Sequence, residues 1–384
     1  MLSFSFYPFL FLSFFLYDII IIGDFMKIVI SAGGTGGHIY PAVAIINKLK
    51  ERNKNIDILY IGTTDRMEAT MIPERGIPYV GIEMKGLDRK HIFKNVKSFI
   101  CTYKAYRKCK KVLKEYKPDA VVGVGGYVTL PVMYAAHKLG IPTMIHEQNS
   151  VPGLSNKMVA NFVDKIFISL PGSESYFEEK TIFTGNPRSE EIAEVKKCDK
   201  TTLGFNKSKK LVVIVMGSLG SATINETMKD ILLGFKDKDY EVLYITGEAY
   251  YDDFSKLDIP NNVKLFSKRE DLISIMKSSD LIVSRAGASI ISEITAIGLP
   301  AVLIPSPYVT NNHQYKNAES LKNRGACILL EESNLNKDNL YNEIDSILKD
   351  KEKKLSMHRE SLKLAKLDSA TCICEEIESA VKDR

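Results

Sequence analysis

Short runs of β-branched residues alternate along this chain with longer amphipathic stretches, a pattern that few folds accommodate. Alternation of this kind predicts a parallel sheet covered by helices. Two such series are present. The first begins at Lys27-Ile-Val-Ile-Ser31 and continues through 57–61, 120–122, 142–145 and 165–168. The second begins at Leu211-Val-Val-Ile-Val215 and continues through 241–245, 262–266, 280–283 and 301–304. Neither period holds in Thr184-Gly-Asn-Pro-Arg188, which marks the expected domain boundary. The predicted domains are 26–184 and 190–360. From Asn336 onward charged helices carry an apolar stripe, and the segment 361–384 is expected to pack back on the first domain. A chain of 384 residues, 45% of them hydrophobic, can supply two cores, which excludes a disordered protein.

Residues 1–25 stand apart. They hold seven of the 17 Phe residues and only two charges, Asp18 and Asp24. Leu2 to Ile22 is long enough to span a bilayer core. Yet no Lys or Arg precedes Lys27 and no small-residue cleavage site follows the run, against the pattern of an anchor or signal peptide. The extension reads as the product of a misplaced start, with the protein proper opening at Met26-Lys27-Ile28. The six cysteines form no CxxC pair, so neither structural disulfides nor structural zinc is expected, and a reducing compartment fits.

The first strand runs directly into Gly33-Gly34-Thr35-Gly36-Gly37-His38. Glycines let backbone N–H groups approach a ligand, and a following helix N-terminus favours an anion. A dinucleotide fingerprint would place a third glycine where Ile39 stands, and a P-loop would place Lys where His38 stands. Two further glycine turns follow strands, at Gly123 to Tyr127 and Gly217 to Ser221. Such loops gather at the carboxyl ends of strands, where open α/β sheets bind ligands. Ile145-His146-Glu147-Gln148-Asn149 ends another strand with four polar residues in succession, each needing a partner if buried. Ser284-Arg285-Ala286-Gly287 leads into a helix start, Ala288, Ser289, Ile290, Ile291, Ser292 and Glu293, suited to cradle a diphosphate. Glu293 is placed either to accept ribose hydroxyls or to serve as a helix charge. Asp237-Lys-Asp239 has metal-site wording but lies ahead of a strand in a charged run, so no metal is assigned to it.

The formal charge is only +5, yet residues 84–117 alone hold twelve Lys or Arg against Asp88 and Glu115. Ile92, Val96, Phe99, Ile100 and Tyr103 fall among them at helical spacing. That face is either core or a membrane-contacting surface, since a basic amphipathic helix meets an anionic bilayer in this way. No base-stacking or recognition-helix motif accompanies the charge, so nucleic acid is not an expected partner.

The motifs GGTGGH, GTTDRMEATMIPERGI, GVGGYVTLP, IHEQNSVPGLSNK, TGNPR, SRAGASIISEITAIGLPAVLIPSP and NNHQYKNA occur here in order between Met26 and about Arg359. Together they resemble the MurG glycosyltransferase family. The resemblance implies a GT-B fold, two doubly wound Rossmann-like domains with an interdomain cleft. It implies transfer of N-acetylglucosamine (GlcNAc) from UDP-GlcNAc to the undecaprenyl-linked muramyl-pentapeptide lipid I, giving lipid II for peptidoglycan; the sequence itself requires no cofactor. By motif, Thr35, Gly36 and Gly37 fall near the donor sugar and diphosphate, and Asn149 near the sugar. Ser218 falls on the diphosphate, Ala288 to Glu293 on the phosphates and ribose, and Gln314 on the GlcNAc hydroxyls. His38 is the candidate base, because histidine is the residue type most often used for proton transfer near neutral pH and this one sits at the tip of the cleft loop. Tyr127, Arg188 and His313 are further candidates. The third loop departs from the family pattern by ending in Ser221, the linker lacks a spacer before Arg188, and His313 replaces a second Gln. The implied partners are UDP-GlcNAc, lipid I, the anionic inner leaflet of the cell membrane and other wall-synthesis proteins, at the cytoplasmic face. An epimerase acting on free UDP-sugar shares the two-domain plan, and a non-catalytic scaffold would have lost the glycine loops and Glu293.

Overall fold

The computed structural model describes residues 25–85, 96–177, 180–217 and 222–382. Almost all of the apolar extension, the segment 86–95 and the loop 218–221 lie outside these residues.

Two separate all-parallel sheets form. The first holds β1 (Lys27–Ala32), β2 (Asp57–Thr63), β3 (Tyr79–Ile82), β4 (Ala120–Gly125), β5 (Thr143–Glu147), β6 (Lys165–Ile168) and β7 (Thr181–Phe183), in the order 3-2-1-4-5-6-7. The second holds β8 (Leu211–Val215), β9 (Glu241–Ile245), β10 (Val263–Phe266), β11 (Leu281–Ser284), β12 (Ala301–Leu303) and β13 (Cys327–Leu329), in the order 10-9-8-11-12-13. The central strands β4 and β8 are buried along their whole length, and β1 from Ile28 onward. This is why they read as unbroken apolar runs rather than as alternation. β3, β7 and β13 were not expected. They are edge strands of three or four residues, too short to display a period.

Strand order reverses between β1 and β4 in one sheet and between β8 and β11 in the other. Ligands bind outside the carboxyl ends of strands at such switch points. Both switch points carry the glycine loops noted above, so the topology brings the motif residues to one end of each sheet.

Helices cover the faces. The glycine-loop helix Gly36–Arg52 buries Ile39, Ala42, Ile45, Ile46 and Leu49 against the first sheet. The last helix, Ser369–Lys382, lies beside it and places Ile373, Cys374 and Ile377 in the core of the first sheet, far from its neighbours in sequence. Arg52 clamps it with a two-pronged pair to Glu378, at 2.9 and 2.8 Å. The six cysteines are free thiols.

Candidate functional site

The loop after β1 is held open by glycines at their tightest contacts. Gly33 N–H donates to the Gly125 carbonyl at 3.1 Å. A Cβ on Gly126, whose φ is +92°, would stand 2.4 Å from the Gly33 carbonyl oxygen, so the two glycine turns touch backbone to backbone. Any side chain there would force them apart. The His38 ring lies against Gly125, where a Cβ would come within 2.6 Å of its Cδ2. His38 Nδ1 is 3.0 Å from the Gly33 carbonyl. Glu68, fully buried, accepts from Gly34 N–H at 3.1 Å and from Thr63 N–H and Oγ1–H at 3.1 and 2.8 Å.

The polar run at the end of β5 is buried through Gln148 and hydrogen-bonded throughout except at Gln148 Oε1. Gln148 Nε2–H donates to the Val124 carbonyl at 2.8 Å and to His146 Nδ1 at 2.9 Å. His146 Nε2–H therefore donates to the Gly185 carbonyl, at 3.1 Å. Burial pushes the His146 imidazole down to about 4, against the pull of the Gly185 carbonyl. Glu147 receives Asn149 N–H at 2.9 Å, Gly153 N–H at 3.0 Å and Asn156 Nδ2–H at 2.9 Å, which shapes the loop that follows. Asn317, fully buried, joins the two halves. Its Oδ1 accepts from Ser150 N–H and Oγ–H, both at 2.9 Å, and its Nδ2 donates to Asn149 Oδ1 and the Ala286 carbonyl, both at 3.2 Å.

From the second sheet, the helix Ala288–Ile297 begins after Gly287 with no side-chain cap, so its first N–H groups remain available. Ser289 Oγ lies 3.7 Å from where a Cβ on Gly37 would stand, so this helix start faces the first glycine loop across the cleft. Ser292 Oγ–H turns back to the Ser289 carbonyl at 2.7 Å. Ile290 is half-buried and Ile291 is core. Glu293 is paired with Arg188 at 3.0 Å, and the Arg188 guanidinium stacks on Tyr40 at 5.1 Å. Burial raises the Glu293 carboxyl above its ordinary value and Arg188 opposes that rise. Gln314 Oε1 accepts from Ser306 N–H at 2.9 Å, and His313 Nδ1 sits 2.8 Å from the Thr310 carbonyl.

A cavity of about 410 Å³ lies between the halves, and its walls include Thr35, His38, Tyr127, Asn149 and His313. The Arg188–Glu293 pair and Gln314 are not among its walls. Ser218 lies outside the described residues. Lys238, between the two aspartates of the DxD wording, pairs with Asp345 at 2.9 Å. Among the described residues no cluster of His, Cys, Asp and Glu has metal-holding geometry.

The basic helix Val96–Tyr116 buries Cys101, Ala105, Cys109 and Leu113 and turns Phe99, Ile100 and Tyr103 outward, at 61, 52 and 59% exposure. Ile92 and the Val96 side chain lie outside the described residues. Of the two roles open for this face, core is ruled out for the three residues seen. An aromatic row continues from it through Tyr103, Tyr106, Tyr134 and Phe162, with ring centroids 5.3 to 6.2 Å apart. Among the described residues no helix is long and apolar enough to cross a membrane.

Three site residues escaped the sequence reading: Glu68, Glu147 and Asn317. Glu147 sat in a polar run already marked as unusual. Glu68 and Asn317 lay inside motif strings with nothing in their spacing to separate them from solvated neighbours.

Comparison with known proteins fits this geometry. Residues 28–168 match the model of the glycosyltransferase family 28 N-terminal domain, and residues 211–372 that of the family 28 C-terminal domain. A Bacillus licheniformis UDP-N-acetylglucosamine--N-acetylmuramyl-(pentapeptide) pyrophosphoryl-undecaprenol N-acetylglucosamine transferase is 47% identical over 331 residues, covering 85% of this chain and 90% of that protein. A protein of the same name from Halalkalibacterium halodurans is 46% identical, over 84% of this chain and 91% of its own length. Among solved structures, Acinetobacter baumannii MurG superposes with a TM-score of 0.76 at 26% identity, over 92% of this chain and 99% of that one. The fold alone is shared with the UDP-GlcNAc 2-epimerase of Neisseria meningitidis, at a TM-score of 0.63 and 15% identity, over 92% of this chain and 100% of that one. Two parallel doubly wound domains meeting at glycine-lined switch points are the GT-B arrangement, and the chain belongs to the MurG family of glycosyltransferases.

Proposed function

We propose that this cleft moves GlcNAc from UDP-GlcNAc onto the muramyl-pentapeptide of lipid I in a single inverting displacement, forming lipid II. The observation that carries the reading is the approach of Gly37 to Ser289, which sets the His38 loop of one domain opposite the uncapped helix start of the other. A base and a diphosphate cradle on facing walls are what such a displacement needs. His38 Nε2 takes the proton of the acceptor's C4 hydroxyl. The freed oxygen pair forms the bond to the anomeric carbon, and the bond to the diphosphate breaks with its electrons passing to UDP. The N–H groups from Ala288 onward, with Ser218, receive the negative charge that grows on the leaving diphosphate. Glu293 takes the ribose hydroxyls, Gln314 and Asn149 the sugar, and Thr35, Gly36 and Gly37 close over it.

The acceptor is a membrane lipid, and Phe99, Ile100 and Tyr103 ringed by Lys97, Lys104, Arg107 and Lys108 supply a reversible, peripheral contact with an anionic inner leaflet. The enzyme works in this reading at the cytoplasmic face, beside other wall-synthesis proteins.

Labelled UDP-GlcNAc, incubated with and without a lipid I analogue, tests the proposal. Labelled lipid that forms only with the acceptor is the expected result; a new free UDP-sugar formed without it would favour an epimerase, and no turnover in either arm a scaffold. His38→Ala should lower kcat by about 10² to 10⁴.

A further inference from the structure

Glu68 lies behind the first glycine loop with no exposed surface, and among the described residues no cation hydrogen-bonds to it. One of its three donors is Gly34 N–H, at 3.1 Å. That N–H and the Gly33 carbonyl belong to the same peptide group, and the Gly33 carbonyl is the oxygen that lies 3.0 Å from His38 Nδ1. We propose that Glu68, this single peptide group and His38 form a relay, which makes Glu68 a positioning residue for the base. The inference rests on His38 being that base.

A carboxylate on the N–H end of an amide draws electron density toward the carbonyl oxygen, since hydrogen bonds in a chain polarise one another. The strengthened Gly33 carbonyl holds the proton on His38 Nδ1. The lone pair is then left on Nε2, in a ring that lines the cavity. When Nε2 accepts the acceptor's proton, the imidazolium is stabilised by a buried negative charge one peptide away. In hydrolytic triads a carboxylate bonded directly to the imidazole does the same work. No proton moves along the relay. It is rigid at every joint: a Cβ on Gly33 would stand 2.3 Å from Glu68 Oε1, and Gly33 N–H is itself tied to Gly125. Thr63 donates twice to the same oxygen and so fixes the carboxylate's rotation.

The test is a double-mutant cycle on the full chain, with kcat and both KM values measured for wild type, E68Q, H38A and E68Q/H38A. The amide of E68Q keeps a carbonyl for Thr63 but turns an N–H group toward Gly34 N–H, which removes the charge and breaks the relay. Expected are a loss of about 10- to 100-fold in kcat for E68Q, a KM for UDP-GlcNAc within about threefold of wild type, and no further loss when E68Q is added to H38A. Equal losses on both backgrounds would make Glu68 a structural support of the loop and overturn the relay, as would an unchanged kcat in E68Q alone. Near-normal kcat in H38A would overturn the base assignment itself, a separate outcome. Nitrogen-15 NMR of the wild-type imidazoles needs no variant to fold: His38 should carry its proton on Nδ1 at neutral pH, and the opposite tautomer would end the proposal.

Discussion

Glu293 is a carboxylate taken out of water with one cation for company, Arg188, whose side chain is 21% exposed and braced on Tyr40. Such an arrangement gives little net stability, because desolvation offsets most of the attraction. It does hold a charged acceptor ready for a ligand's hydroxyls. Glu293→Ala should therefore raise the KM for UDP-GlcNAc by about 10- to 100-fold, the range for losing hydrogen bonds to a charged group, with kcat changed only a few-fold. An unchanged KM in initial-rate kinetics would reduce Glu293 to a helix charge. His146 shows burial acting with the opposite sign. Held down to about 4 against an ordinary 6.5, it stays neutral in the folded chain while the unfolded chain takes up a proton. Its contribution is thus complete above about pH 6.5 and is lost as the pH falls toward 4. The size is on the order of 3 kcal/mol. Urea unfolding at pH 7 and pH 4.5 should show a clearly smaller difference for His146→Gln than for wild type.

Secondary-structure elements differ in how openly the sequence announces them. β1, β4 and β8 are buried on both faces and wrote themselves as apolar runs; β3, β7 and β13 touch one neighbour each and left no comparable trace. The glycine loops were legible because four glycines in five positions have few other uses. The burial of Glu68 was illegible, since a carboxylate in a charged stretch normally faces water. What buries it is the missing side chain on Gly62, where a Cβ would meet Glu68 Cγ at 2.8 Å, together with Gly33. The basic helix gave both its charge and its apolar spacing to the reader, but spacing cannot say which face turns inward. Four small or apolar residues, Cys101, Ala105, Cys109 and Leu113, claimed the core and left Phe99, Ile100 and Tyr103 outside. Replacing those three with Ser should weaken binding to anionic vesicles by about tenfold or more in a sedimentation assay, with turnover of a short-chain soluble acceptor unchanged. Equal vesicle binding would remove the helix from the membrane contact.

At the scale of the molecule the two halves are joined more than once. The chain passes forward through Thr184 to Arg188, Asn317 bridges the cleft, and the last helix returns to the first domain. That return is built on burial: Ile373, Cys374 and Ile377 have no exposed surface, and Glu190 receives both Thr371 N–H and its hydroxyl, at 2.9 and 2.8 Å. Ile377→Ala should cost about 2 to 5 kcal/mol of stability, the range for emptying a buried Ile site. Thermal unfolding would read this as a lowered midpoint, and an unchanged midpoint would mean that the helix only rests on the surface. The return also imposes an order on synthesis. A ribosome emitting about 5 to 20 residues per second needs roughly 10 to 40 s to go from β7 to Ile377. Throughout that interval the nascent first domain exposes the apolar groove beside Gly36–Arg52 that the last helix fills, so the half made first is the half completed last.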